Sequence, residues 1–331
     1  MGKRGPVRNS HKTPAGYSLE TMEPSYIRLH QEGKIQERIG AALALMESCH
    51  LCPRGCGVNR IQGERGFCRT GRKARVAGYN AHFGEEAPLV GRFGSGTIFI
   101  SSCNLLCSFC QNFEISHQRE GVDVTPDQLA AMMLDLAARG CHNINFVTPT
   151  HVIPQILEAL PGAVEGGLRV PLVYNSSGYD AVETLKLLDG VFDIYMPDFK
   201  FWDPGWAGRF CSAPDYREAA VAAIKEMHRQ VGDLILDDEG VGVRGLLVRH
   251  LVMPNNLAGT EEAMAFLAEE ISTNTYVNVM DQYRPCGEAH RDPLINRRVE
   301  PGEFRDAVDA AKRAGLKRLD KRDRIRLVFG L

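Results

Sequence analysis

Gly96-Thr97-Ile98-Phe99-Ile100-Ser101-Ser102-Cys103-Asn104-Leu105-Leu106-Cys107-Ser108-Phe109-Cys110 joins a short apolar run to a loop holding three cysteines within eight residues. The run Thr97–Ile100 has the composition of a strand covered on both faces of a parallel sheet. A helix is predicted after the loop. Thr125 and Gln128 have capping-box spacing, Pro126 sits at the first helical position, and Leu129, Met132, Met133 and Leu136 form one apolar stripe that Gly140 closes. The same alternation continues downstream. Strands are predicted at Ile144–Val147, Leu172–Tyr174, Phe192–Met196, Leu246–Met253 and Val277–Met280. Helices are predicted between them over Ile153–Leu160, Ala181–Leu188, Tyr216–Val231 and Glu261–Ile271, with Phe304–Ala314 closing the series. Asp180 with Glu183, and Asp215 with Glu218, repeat the capping-box spacing. Right-handed crossovers between six such strand–helix pairs predict an α/β fold, a partial (β/α)6 TIM-like barrel. Its working face would be built from the loops at the strand C-termini, and its open side would admit a large substrate.

Upstream of this region the chain changes character. Residues 1–25 are polar and rich in Gly, Pro and Ser, and read as a frayed tail. A helical pattern begins at Tyr26, with Ile35, Ile39, Ala42, Leu43 and Met46 on one stripe. Cys49, Cys52, Cys56 and Cys68 then mark a loop-rich knuckle, and residues 69–95 read as irregular and Gly-rich with room for short strands. The domain reading is therefore a tail (1–25), a helix plus Cys-rich module (26–95), the barrel (96–290) and a C-terminal helix and strand extension (291–331).

Composition narrows the class. Of 331 residues, 44% are hydrophobic and 24% charged, which suits a globular chain and excludes wholesale disorder. A formal charge of -2 gives no strong nucleic-acid signal. No apolar stretch approaches the roughly 18–20 residues of a membrane helix. The basic start has no apolar segment behind it, and Pro6 breaks the myristoylation pattern, so a soluble cytoplasmic protein is expected.

Seven of the ten cysteines fall in the two tight sets, a spacing that converges on metals rather than on disulfides and fits a reducing compartment. Cys141, Cys211 and Cys286 stand alone and read as small buried hydrophobes. The knuckle's four thiolates suit a structural zinc first, a second iron–sulfur cluster next, or no metal at all, with His50 as a lesser alternate ligand. The Cys103 loop can bind three irons of a cubane and leave the fourth open, or can hold zinc with a distant fourth ligand.

The phrase G-S-G-T-I-F-I-S-S-C-N-L-L-C-S-F-C-Q-N-F-E-I-S resembles the signature of the radical S-adenosylmethionine superfamily. More narrowly, it is similar to the relatives of pyruvate formate-lyase activating enzyme, here preceded by a four-cysteine module. The resemblance spans residues 26–290. It implies a 4Fe-4S cluster on Cys103, Cys107 and Cys110, whose open iron chelates S-adenosyl-L-methionine. One electron then cleaves the sulfonium to a 5'-deoxyadenosyl radical, making the chain an oxidoreductase. A flavodoxin or ferredoxin would donate that electron. The implied target is a glycine of a partner glycyl radical enzyme; other targets within the same chemistry are a small molecule, a peptide or a nucleic-acid base. A non-catalytic electron carrier or metal scaffold is the reading from another class. No phosphate loop or G-x-S-x-G elbow is present.

The resemblance also implies cofactor-binding positions: Phe109 and Asn112 beside the cluster loop, then Asn175, Ser177, Asp198, Lys200 and Arg249. Met196, Asp198 and Lys200 alternate along one strand end and so share a face. Asn175-Ser176-Ser177-Gly178 is similar to the family's Asp-Thr-Asn-Gly turn, with Asn175 in place of the aspartate. His250 must face away from Arg249. Val147-Thr148-Pro149-Thr150-His151 departs from the family's Gly-Gly-Glu. Thr148 or Thr150 would then supply acceptors, and His151 would start a helix. Phe201–Pro214, which holds both tryptophans, reads either as a lid or substrate platform at the barrel mouth or as a loop packed on neighbouring helices.

Overall fold

The computed structural model describes residues 23–320, so most of the predicted tail and the end of the C-terminal extension lie outside the described residues. The predicted N-terminal helix is two, Ser25–Gln31 and Lys34–Glu47, because Gly33 turns left-handed at φ 72° between them. Ile35, Ala42 and Met46 are buried as expected.

Ten strands follow. They are β1 (Ala74–His82), β2 (Ser95–Ile100), β3 (Val122–Val124), β4 (Ile144–Val147) and β5 (Leu172–Ser176), then β6 (Ile194–Pro197), β7 (Ile235–Leu236), β8 (Gly242–Leu251), β9 (Tyr276–Met280) and β10 (Arg318–Leu319). The sheet order is β10-β9-β8-β6-β5-β4-β2-β1-β3, with β7 pairing β8 from outside that path. All six strands expected from sequence pair in parallel and in chain order, which makes the fold α/β with a mostly parallel sheet. The hydrogen-bonded path is open, ending at β10 and β3. Among the described residues no helix is long and apolar enough to cross a membrane.

Several local expectations need correction. Residues 74–82 form one nine-residue strand, antiparallel to β2 with a register shift between Val76 and Gly78, longer than the short strands expected there. The Thr125 capping box forms as expected, with Gln128 N–H donating to Thr125 Oγ1 at 3.2 Å and Thr125 N–H to Gln128 Oε1 at 2.9 Å. The other two boxes do not form. Asp180 is buried and accepts from Thr150, Ser176 and Tyr174 at 2.6–2.8 Å, and the next helix starts at Val182. Asp215 does precede the helix Tyr216–Val231, but its carboxylate accepts from Tyr179 Oη and caps nothing. In both places a buried hydroxyl outcompetes the helix end for the carboxylate. The tryptophan segment is not simply a loop: it carries a helix, Pro204–Cys211, capped by Asp203. Trp206 stacks on Phe210, and Trp202 packs on Phe199 and Phe266. Finally, a seventh parallel strand, β10, follows the helix Pro301–Arg313.

Candidate functional site

Six strands of the parallel run, β2, β4, β5, β6, β8 and β9, open at their C-terminal ends onto one cleft, the place where open α/β sheets bind ligands. Residues 99, 100, 103, 106, 107, 109 and 110 line it after β2, and Val147 with Thr148 after β4. Asn175 to Ser177 end β5, Asp198 and Lys200 follow β6, Arg249 and Leu251 end β8, and Met280 leads to Gln282–Arg284 after β9. Phe109 and Asn112 line the same cleft. Every cofactor-binding position expected from the sequence is therefore brought to one place.

The cysteine wall is held by its own backbone. Ser102 and Leu106, on either side of Cys103, adopt left-handed φ of 74° and 54°, and Thr148 across the cleft has φ 61°. Side-chain-bearing residues enter that region at a cost and cluster at functional sites. Leu105 N–H donates to Cys103 Sγ at 3.3 Å, Ser116 Oγ to Cys110 Sγ at 3.3 Å, and Cys211 Sγ to Cys107 Sγ at 3.4 Å. Burial pushes the Cys103 thiol up to about 12 and raises that of Cys110. The Cys211 contact raises Cys107, and burial adds to it. Such thiols are neutral at pH 7 and give up their protons when a metal takes their place.

The opposite wall is ionic. Asp198 is held between Lys200, at 2.5 Å, and Arg249, at 2.7 Å, and Arg249 also donates to Asn175 Oδ1 at 2.7 Å. Burial alone would raise the Asp198 carboxyl, but the two cations outweigh it and hold the group below its usual range. The same carboxylate keeps Lys200 and Arg249 protonated against burial. Ser177 Oγ is buried at the cleft with no hydrogen-bond partner among the described residues. The turn that places it depends on Gly178, at φ +78°, where a Cβ would lie 2.1 Å from the Asp198 carbonyl oxygen.

The neighbouring expectations divide. Thr148 lines the cleft, whereas Thr150 donates to Asp180 instead. His151 lies in the turn Thr150–Val152 just before the helix Ile153–Glu165, as a helix-start residue would. His250 faces away from the cleft, both ring nitrogens bonded, to Phe199 O and Thr260 Oγ1. Cys141 and Cys211 are buried, while Cys286 is only half-buried. Gln282, Tyr283 and Arg284 were not foreseen as cleft residues, although their place after a predicted strand end was the available signal.

Cys49, Cys52, Cys56 and Cys68 line a second, much smaller space with Arg54, Arg60, Asn104 and His151. His50 is exposed and not among its walls. Among the described residues no three His, Cys, Asp or Glu side chains already stand as a group that would hold a metal ion.

No protein-family model matches this chain. Uncharacterized protein MJ0674 of Methanocaldococcus jannaschii is 34% identical to it over 308 residues, covering 90% of this chain and 82% of the archaeal protein. This chain belongs to the family of that protein. A second protein of the same archaeon, Uncharacterized protein MJ0808, is 26% identical over 157 residues, 42% of this chain and 46% of its own length. The longer match takes in both cysteine sets or all but a small part of the chain around them, since it leaves out only a tenth of the residues.

Proposed function

We propose that this chain is a cytoplasmic radical S-adenosylmethionine enzyme, its open parallel sheet a partial (β/α)6 barrel with the reaction at the strand C-termini. The observation that carries this reading is the cleft itself. Three thiols of one strained loop face an Asp198–Lys200–Arg249–Asn175 network and the unpartnered hydroxyl of Ser177. The donor set fits both groups: soft thiolates suit iron, and a cationic, hydrogen-bonding wall suits an amino acid carboxylate and a ribose. When bound by Cys103, Cys107 and Cys110, a 4Fe-4S cluster would supply the single electron that splits the sulfonium of S-adenosylmethionine.

The chain's own residues bind and orient. Both Asp198 oxygens are committed to cations, so the carboxylate positions Lys200 and Arg249 rather than meeting the ligand. Arg249, Lys200 and Ser177 are then the donors that fix the cofactor, and Phe109, packed edge-on against Phe201 and Tyr283, keeps water from the loop. The open sheet edge leaves room for a protein target, which favours an activating enzyme that installs a glycyl radical on a partner. A flavodoxin- or ferredoxin-class donor supplies the electron. The test is anaerobic reconstitution with iron and sulfide, reduction, and quantification of 5'-deoxyadenosine and methionine. Both should appear in the wild-type chain and vanish in Cys107→Ala; cleavage that persists in that variant would refute the assignment.

A further inference from the structure

The knuckle is a second site whose contents are read from its own walls. Its four thiols come from one short segment, yet two other walls come from far along the chain: Asn104, next to Cys103, and His151, after β4. Both are buried, at 0% and 1% exposure, and each carries a polar atom with no hydrogen-bond partner, Asn104 Oδ1 and His151 Nδ1. Two buried polar atoms without a partner among the described residues stand beside four thiols and are left in need of one. Arg60, 1% exposed, closes the same space and sets Nη1 3.9 Å from Cys49 Sγ, a cation placed beside sulfur that would carry negative charge once metallated.

Arg54 lies between Cys52 and Cys56 and reaches out of the knuckle. Its guanidinium donates to the carbonyl oxygens of Asn104 at 2.9 Å, Leu105 at 3.4 Å and Cys211 at 3.0 Å, and to Ser212 O. Its plane lies 3.8 Å from the Phe67 ring centroid, next to Cys68. One side chain thus joins the knuckle to the backbone that carries Cys103 and to the residue that touches Cys107.

We propose that Cys49, Cys52, Cys56 and Cys68 hold a second thiolate-bound metal centre, faced by His151 and Asn104, and that Arg54 transmits its occupancy to the Cys103 loop. The ligand class is a thiophilic metal: a single zinc ion suits the roughly 10 Å³ that the thiols enclose, whereas an iron–sulfur cluster would need them to move apart. Binding would replace the thiol protons with the metal. The coupling through Arg54 rests on the Cys103 loop being a cluster site; the knuckle's own metal does not.

The experiment uses the full chain with Cys103, Cys107 and Cys110 all changed to Ala, purified anaerobically and assayed for zinc, iron and acid-labile sulfide. About one zinc per chain, or about four irons with matching sulfide, supports the proposal and names the source. A chain free of metal overturns it. In case that variant does not fold, alkylation of the wild-type chain gives the same answer residue by residue. Cys49, Cys52, Cys56 and Cys68 should be protected until a chelator is added, and equal labelling before and after overturns the site. Arg54→Ala should keep the knuckle metal while the iron retained at the Cys103 loop falls severalfold and its reduced-cluster spectrum shifts. An unchanged loop overturns the coupling. Metal at the knuckle in a chain that fails to cleave S-adenosylmethionine would break the proposed function and leave the knuckle centre standing.

Discussion

Cys103, Cys107 and Cys110 face a cleft with about 180 Å³ of room and share it with Asp198, Lys200 and Arg249, whereas Cys49, Cys52, Cys56 and Cys68 enclose about 10 Å³ among Arg54, Arg60 and His151. The same residue type serves opposite ends. Three thiols at the ends of parallel strands leave space and charge for a further ligand. Four thiols in a loop-rich knuckle leave space for little more than one water-sized atom. The difference lies in what surrounds the sulfur. The cleft carries the Asp198–Lys200–Arg249 ion network, while the knuckle is backed by Arg54 and Arg60, whose guanidiniums bind backbone carbonyls.

The largest effect that sharpens this contrast comes from removing one thiol on each side. Cys107→Ala should bring S-adenosylmethionine cleavage to background with little loss of melting temperature, because the site is a cleft and not a staple. Cys52→Ala should mainly lower folding yield and stability. Equal behaviour of the two variants, by 5'-deoxyadenosine assay and thermal melt, would erase the distinction.

Gly178→Ala comes next. The new Cβ would meet the Asp198 carbonyl at 2.1 Å, in a turn already at φ +78°, so backbone must move under Ser177 and Asp198 together. A loss of about 2–4 kcal/mol in denaturant unfolding is expected, with weaker S-adenosylmethionine binding and an unaltered knuckle. Arg249→Lys is milder. It keeps the charge on Asp198 but gives up the planar fork that also reaches Asn175. Binding should weaken roughly tenfold, about 1.4 kcal/mol, by isothermal titration. A change below twofold would show that the fork does not meet the ligand.

Much of this was legible in the sequence, and the parts that were not share a reason. Thr97–Ile100 and the strands after it are short apolar runs, and their alternation with helices fixes the parallel order directly. β1 was hidden because Gly78, Asn80 and two half-exposed stretches blur its period, and only pairing with β2 makes it a strand. Asp180 carried the right spacing for a cap and lost that role to three buried hydroxyl groups from β5 and from the turn after β4. The helix Pro204–Cys211 has its own signal in Asp203 followed by Pro204, which the reading of the segment as a lid, platform or packed loop did not use. Arg54 was invisible as a link, since its partners lie some 50 and 150 residues downstream.

The smallest effect separates the two histidines that stand behind these sites. His250 lies behind the cleft and uses both nitrogens, with Phe199 O at 2.8 Å and Thr260 Oγ1 at 2.9 Å, whereas His151 uses one, with Ser101 O at 2.9 Å. Burial pulls His250 down to about 4, the Phe199 carbonyl and the Asp198 charge opposing it only in part. A folded pKa below the unfolded value of about 6.5 means that the unfolded chain takes the proton first as pH falls. The stability contributed by neutral His250 is therefore full above about pH 6.5 and is lost progressively down to about 4. His250→Gln should flatten the stability profile across that window and cost about 1–3 kcal/mol at pH 7. His151→Gln should cost less at pH 7 in the metal-free chain, because one bond is broken rather than two. If the two variants cost the same in metal-free protein, His151 Nδ1 has a partner after all, and if His151→Gln becomes the costlier one only when metal is present, that partner is in the knuckle.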